Sequence, residues 1–127
     1  MDARIRNGLL TALLLAAPGV APAQSADSLP PGVTKEMVAK GKSIFTGTGL
    51  CLACHGMEGK GGIGPDLTDQ TWLHGDGSYE AIVKLITTGV ATEESKTGQI
   101  MPPKGGSTIS PDDIKLVAAY VWKLSRK

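Results

Sequence analysis

Cys51, Cys54 and His55 are the residues of this chain whose types and spacing define a chemistry. Two thiols three residues apart can each add across one vinyl group of a porphyrin, because a single helical turn sets the sulfurs at the right separation. A histidine directly after the second thiol then lies beneath the macrocycle, with an imidazole nitrogen available to iron. Cys-x-x-Cys-His is accordingly the attachment pattern of a c-type haem. No other cysteine exists in the chain, so the expectation is one haem c, covalently held through Cys51 and Cys54. Three competing uses of these residues are weaker. A thioredoxin-like redox pair wants a preceding strand and a βαβ setting, whereas this motif lies between glycine-rich stretches. A zinc site of Cys51, Cys54, His55 and His74 would be strained by the adjacency of two ligands. A disulfide between Cys51 and Cys54 closes too small a loop to add much stability.

A second iron ligand is sought among four methionines. Met1 belongs to a leader, and Met37 falls on the apolar stripe of a helix, where core packing is its expected role. Met57 follows His55 too closely to reach the other face of a ring. Met101 remains, on a segment stiffened by Pro102 and Pro103, each of which fixes its own φ and restricts its predecessor. Its bland alternative is a gap-filling side chain. His74 is the rival ligand; it follows Trp72 in a glycine-flanked loop and otherwise suits the surface or the propionate side of a haem.

Helices must position these groups. A first helix is expected over about 35–47, capped by Thr34, with Met37, Val38, Gly41, Ile44 and Phe45 sharing a buried side. Gly41 costs roughly 1 kcal/mol against alanine in mid-helix, which marks either close approach of another helix or an incidental glycine. A loop and short turn surround the cysteines, and Gly64-Pro65-Asp66-Leu67 follows as a rigid turn. Another helix is expected over 79–88, with Ser78 as its cap and Gly89 as its end. Residues 89–108 have neither helical nor strand period. Ser110-Pro111-Asp112-Asp113 announces a last helix, with Ile114, Val117, Val121 and Leu124 at helical spacing and Arg126 and Lys127 at its negative end. No strand or internal repeat is evident.

With 127 residues, one domain is the default. Residues 1–23 read as a cleaved signal peptide: Arg4 and Arg6, an apolar run over 9–17, then Ala21-Pro22-Ala23 as the peptidase site. Residues 24–33 read as a flexible, proline-bearing tail, and 34–127 as the domain. Loss of the leader takes the formal charge from +1 to 0, so neither nucleic-acid binding nor strong long-range steering is expected. No second apolar stretch is long enough to span a membrane. One Phe, two Trp and two Tyr make a thin core for a chain with 17 glycines. Small domains are marginal on their own, so the chain without a rigid apolar cofactor is expected to be largely unfolded.

From Val33 to Lys127 the chain resembles a class I c-type cytochrome. The likeness rests on Gly41 and Phe45, the 51–55 motif, Gly64-Pro65-Asp66-Leu67, Met101-Pro102 and Tyr120. Trp72-Leu73-His74-Gly75 and the 101–124 stretch are similar to the haem domains of cytochrome subunits of bacterial haem–copper terminal oxidases. The resemblance implies an all-α small cytochrome c fold, three to five helices around one covalently bound haem, with the first and last helices crossing at Gly41 and the aromatics. It implies that the Pro65 carbonyl accepts the other imidazole N–H of His55, and that 34–127 is a cytochrome c domain. Residues 90–100 look longer and more polar than the compact approach to the methionine in such proteins. The expected function is a periplasmic one-electron carrier between respiratory or dehydrogenase redox partners, not an enzyme. A permanent haem c subunit of a larger oxidoreductase, and a haem enzyme or gas sensor with a labile Met101, are the alternatives.

Overall fold

The computed structural model describes Gly19 and residues 28–126. The leader expected over 1–23 (Gly19 apart), residues 24–27 of the tail, and Lys127 lie outside the described residues. Among the described residues four α-helices form, the three long ones where a cap and an apolar spacing coincide. Helix α1 spans Lys35–Thr46, and the Met37 N–H donates to the Thr34 hydroxyl at 3.2 Å. Helix α2 is the single turn Leu52–His55, with Cys51 at its N-cap. Helix α3 spans Tyr79–Thr88, where the Ala81 N–H donates to Ser78 Oγ at 3.2 Å. Helix α4 spans Pro111–Leu124 and opens on a reciprocal box: Asp113 N–H donates to Ser110 Oγ, and Ser110 N–H to Asp113 Oδ2. Satisfying two of the otherwise orphaned N–H groups in this way fixes the start of the helix. The same hydrogen bonds from Ser110 hold the Asp113 carboxyl below its usual range.

Helices α1 and α4 form the frame. Gly41 is buried at their contact, and a Cβ built on it would collide with the Leu116 carbonyl, the carbonyl carbon lying only 2.6 Å away. Of the two explanations for this mid-helix glycine, close approach is therefore the correct one. One turn further on, Phe45 and Tyr120 meet edge to face, their centroids 5.3 Å apart, a favoured arrangement for aromatic pairs. Phe45 is fully buried, and Ile82, Ile86, Ile114, Val117 and Val121 complete the centre of the core. Helix α3 also packs on α4. Met37, expected in the core, is only half-buried and lies outside that cluster. It stands in the first turn of α1.

Among the described residues no strand forms, and the all-α expectation holds. Residues 89–108 are nevertheless more ordered than their sequence indicates. Val90 and Met101 form an isolated antiparallel bridge, and Pro103–Gly106 makes a 3-10 turn. Ahead of α1, the Val33 N–H donates to the Pro30 carbonyl and the Val33 side chain is buried.

Candidate haem site

Between the α1–α4 frame and the two long connecting segments lies an open-sided cavity of about 1210 Å³, its mouth included. Phe45, Ile82, Ile86, Val117 and Val121 supply the inner wall. Cys51, Cys54, His55, Pro65 and Met101 all line the same space. Every residue singled out from sequence as a cofactor contact is thus brought to one largely apolar slot. His74 lines it as well.

His55 is buried, and its Nδ1 lies 2.9 Å from the Pro65 carbonyl oxygen. A carbonyl oxygen only accepts, so Nδ1–H donates and the lone pair of the neutral ring resides on Nε2. The ring is held from the side too: a Cβ on Gly64 would lie 2.9 Å from His55 Cε1. Backbone bonds tie this wall to α2. Gly64 N–H donates to the Cys54 carbonyl, Gly61 N–H to the His55 carbonyl, and Leu67 N–H to the Gly59 carbonyl, at 2.7–2.8 Å. Gly64 as a packing surface for the imidazole was not foreseen. Its only sequence signal is its place beside Pro65 in the turn.

Met101 is half-buried and packs against the core. Its N–H donates to the Val90 carbonyl at 3.0 Å, and the Val90 N–H returns to the Met101 carbonyl at 2.8 Å. Gly89, at φ +68°, lets this pair lie against the end of α3: a Cβ there would strike the Met101 carbonyl and fall 2.8 Å from the Pro102 carbonyl carbon. The long segment between 90 and 101 is consequently closed at its base. Its extra length projects as a loop with its own hydrogen bonds, such as Ser95 Oγ to the Gln99 carbonyl at 2.6 Å, while Met101 stays on a short backbone pair.

The two cysteines differ. Cys54 is exposed, whereas Cys51 is half-buried and its thiol donates to the Gly49 carbonyl at 3.3 Å. Burial pushes the Cys51 thiol up to about 11, so it is neutral at physiological pH. The cysteines are not joined to each other. Among the described residues no three or more His, Cys, Asp or Glu side chains gather to hold a metal ion directly. Met57, set aside from sequence, is 71% exposed and does not line the cavity. Leu50, Ile63 and Ile100 form an apolar rim that sequence reasoning missed, because isolated apolar residues in loops carry no period. Among the described residues no helix is long and apolar enough to cross a membrane.

Comparison with known proteins agrees with this geometry. Residues 36–121 match the family described as cytochrome c oxidase, cbb3-type, subunit III. The cbb3-type cytochrome c oxidase subunit CcoP of Rubrivivax gelatinosus is 38% identical over 91 residues, covering 71% of this chain and 27% of that protein. Subunit FixP of Bradyrhizobium sp. ORS 278 is 41% identical over 90 residues, covering 68% of this chain and 30% of that one. The chain spans less than a third of the length of these two relatives. Among solved structures, cytochrome cL of Methylophaga aminisulfidivorans superposes with a TM-score of 0.52 at 23% identity, over 68% of this chain and 52% of that one. Cytochrome cL of Hyphomicrobium denitrificans gives 0.51 at 22%, over 80% and 61%. These two establish the fold, a small cytochrome c. The cytochrome c resemblance carried by Gly41, the Cys51–His55 motif and Met101-Pro102 is thereby upheld, and the chain belongs to the cbb3-type cytochrome c oxidase subunit III family.

Proposed function

We propose that this chain carries one haem c, joined through Cys51 and Cys54 with His55 and Met101 as its iron ligands, and relays single electrons between redox proteins. The observation that carries the proposal is the convergence of both thiols, the buried imidazole and the thioether on one apolar slot. Bound there, haem supplies reversible one-electron ferric–ferrous chemistry. The chain's own residues set how that chemistry runs. The Pro65 carbonyl keeps a proton on Nδ1 and makes the other nitrogen of His55 a stronger donor. The Met101 thioether favours the ferrous state and raises the potential. Phe45, Ile82 and Val117 keep water from the inner face, which acts in the same direction. Because Gly64 and the Val90–Met101 pair fix both ligands to short backbone segments, little has to rearrange when the charge changes. With His55 and Met101 both holding the iron, no position would remain for a substrate, which fits electron transfer and not catalysis.

The basic start, apolar run and Ala21-Pro22-Ala23 support export to the periplasm, with cleavage near Ala23. Partners on this reading are a donor dehydrogenase or cytochrome and an acceptor oxidase or reductase. A second reading, a haem c subunit held within a larger oxidoreductase, is favoured by one observation: the relatives are named as oxidase subunits. Size-exclusion of a native periplasmic extract separates the two, since a free carrier elutes alone.

Visible spectra of oxidised and reduced protein, made in a host able to attach haem c, test the site. The ferric protein is expected to show the far-red sulfur-to-iron charge-transfer band, and Met101→Ala to lose it. Rapid carbon monoxide binding by the ferrous wild-type protein would contradict Met101 ligation and favour a sensor or enzyme.

A further inference from the structure

The cavity lining joins a rigid element to a loop. Helix α4 contributes Val117 and Val121, both buried. The loop contributes the half-buried indole of Trp72, on a stretch without helix or strand. A loop keeps so large a ring in place only if what lies behind it does not yield. Behind Trp72 is the buried backbone of Gly77, at φ +75°. A Cβ there would collide with the indole Nε1 and Cδ1 and lie 2.6 Å from Cε2, so the peptide rests directly on the ring.

What holds Gly77 comes from just beyond the end of α4. Its carbonyl accepts from Arg126 Nη2 at 3.0 Å, across 49 residues of sequence. The same guanidinium donates through Nη1 to Ser125 Oγ at 2.9 Å and to the Trp122 carbonyl at 3.3 Å. It also lies over the Trp122 ring, 4.1 Å from the centroid. Three acceptors and an aromatic face suit the planar fork of arginine, which lysine, a point charge on a flexible stem, does not reproduce. On a buried residue such as Gly77, a carbonyl that loses its donor is costly to leave unpaired. Complementing the negative end of α4, the role that position alone gives Arg126, would require none of these contacts with the 72–77 loop.

We propose that Arg126 is a positioning residue for the redox centre: through Gly77 it holds the Trp72 indole in the cavity wall and so keeps water from the bound haem on that side. This rests on the haem c reading of the site. The ferric centre carries one more positive charge than the ferrous one, so water admitted beside the macrocycle favours it. Burial and dielectric are among the levers by which a protein sets the potential of a haem. Loosening the Arg126–Gly77 contact therefore lowers the potential, although Arg126 itself touches neither the iron ligands nor the cysteines.

The test uses holoprotein of the wild type, Arg126→Ala, Arg126→Lys and Tyr79→Phe, with pyridine haemochrome spectra establishing that haem c is attached in each. Tyr79→Phe is the control: the Tyr79 hydroxyl donates to the Lys115 carbonyl at 3.1 Å, a tie to α4 that does not run through Gly77. Measured are the thermal midpoint, the reduction potential at low and high ionic strength, and the Trp72 indole N–H resonance of the ferrous protein, assigned with Trp72→Phe. In R126A a lower potential and a displaced indole resonance are expected, with the far-red band retained. The drop should persist at high ionic strength, where an effect of the lost charge alone would be screened. R126K, which keeps the charge but not the fork, should fall between R126A and wild type, and Y79F should lose thermal stability alone. A potential and indole resonance in R126A equal to wild type would overturn the proposal. So would a drop that fades with salt, a drop of the same size in Y79F, or R126K equal to wild type. Wild-type protein without a haemochrome signal would instead overturn the cofactor reading on which it rests.

Discussion

The α1–α4 frame and the wall of loops facing it are built on different principles. The frame closes on itself: Gly41 admits the Leu116 backbone, and Phe45 and Tyr120 pack edge to face. The facing wall, residues 49–75 and 89–106, is mostly irregular backbone broken by the single turn α2 and the Pro103–Gly106 3-10 turn and stitched by hydrogen bonds, and many of its apolar side chains line the open slot. Apolar side chains lining a space without partners forfeit dispersion contacts and stay accessible to water. The difference teaches that one half of the molecule carries its own core, while the other half is completed by what it binds.

The largest test of that contrast removes the bound group. Cys51→Ala with Cys54→Ala, produced without haem, is expected to lose its near-ultraviolet circular dichroism and its cooperative melt, with residual helicity in the frame alone. A cooperative melt like that of the holoprotein would erase the distinction between the halves.

Next in size is the frame itself. Gly41→Ala adds helix propensity worth about 1 kcal/mol, yet the new Cβ meets backbone that cannot step aside. The net effect expected from denaturant melts is a loss greater than about 3 kcal/mol, beyond ordinary overpacking. Gly89→Ala acts on the other wall. It combines a left-handed φ with a collision at the Met101 carbonyl, and should cost about 1–3 kcal/mol. Its signature is a weakened far-red band in the ferric spectrum, which Gly41→Ala should not produce at temperatures where it stays folded.

The smallest effect belongs to the start of α4. Ser110→Ala should cost about 1 kcal/mol with an unchanged visible spectrum, since the cap lies on the frame. The Asp113 carboxyl is held below its usual range by the Ser110 N–H and hydroxyl. A depressed carboxylate contributes stability above its unfolded pKa, and that contribution disappears as pH falls through the folded value. The stability gap between wild type and Asp113→Ala is therefore expected to be full at neutral pH and to narrow in acid.

Sequence and structure agree best where local chemistry is sufficient. Thr34, Ser78 and Ser110 cap the three long helices as expected, and Gly89 ends α3, because a cap and a period of 3.6 are properties of a short window. The Cys51–His55 turn was legible for the same reason. What escaped was set by closure over distance. The Val90–Met101 bridge is a single residue pair and leaves no alternation to detect. Positive φ at Leu50 and Lys104 falls on residues whose types give no sign of it. Met37 has an apolar identity and a helical register that suit the core, yet in the first turn of α1 it is only half-buried. The 90–100 segment is longer and more polar than a compact approach to the methionine, and the two hydrogen bonds at its base keep Met101 on a short backbone pair.

One measurement bears on the covalent haem more directly than any other. Protein purified from a host able to attach haem c is extracted with acid acetone, and the intact mass of the polypeptide is determined. The expected result is colour that remains with the protein and a mass raised by one haem in the wild type, with no such increment when Cys51 and Cys54 are both alanine. A colourless polypeptide at the mass of its sequence alone, from a host that attaches haem to other c-type proteins, would contradict it.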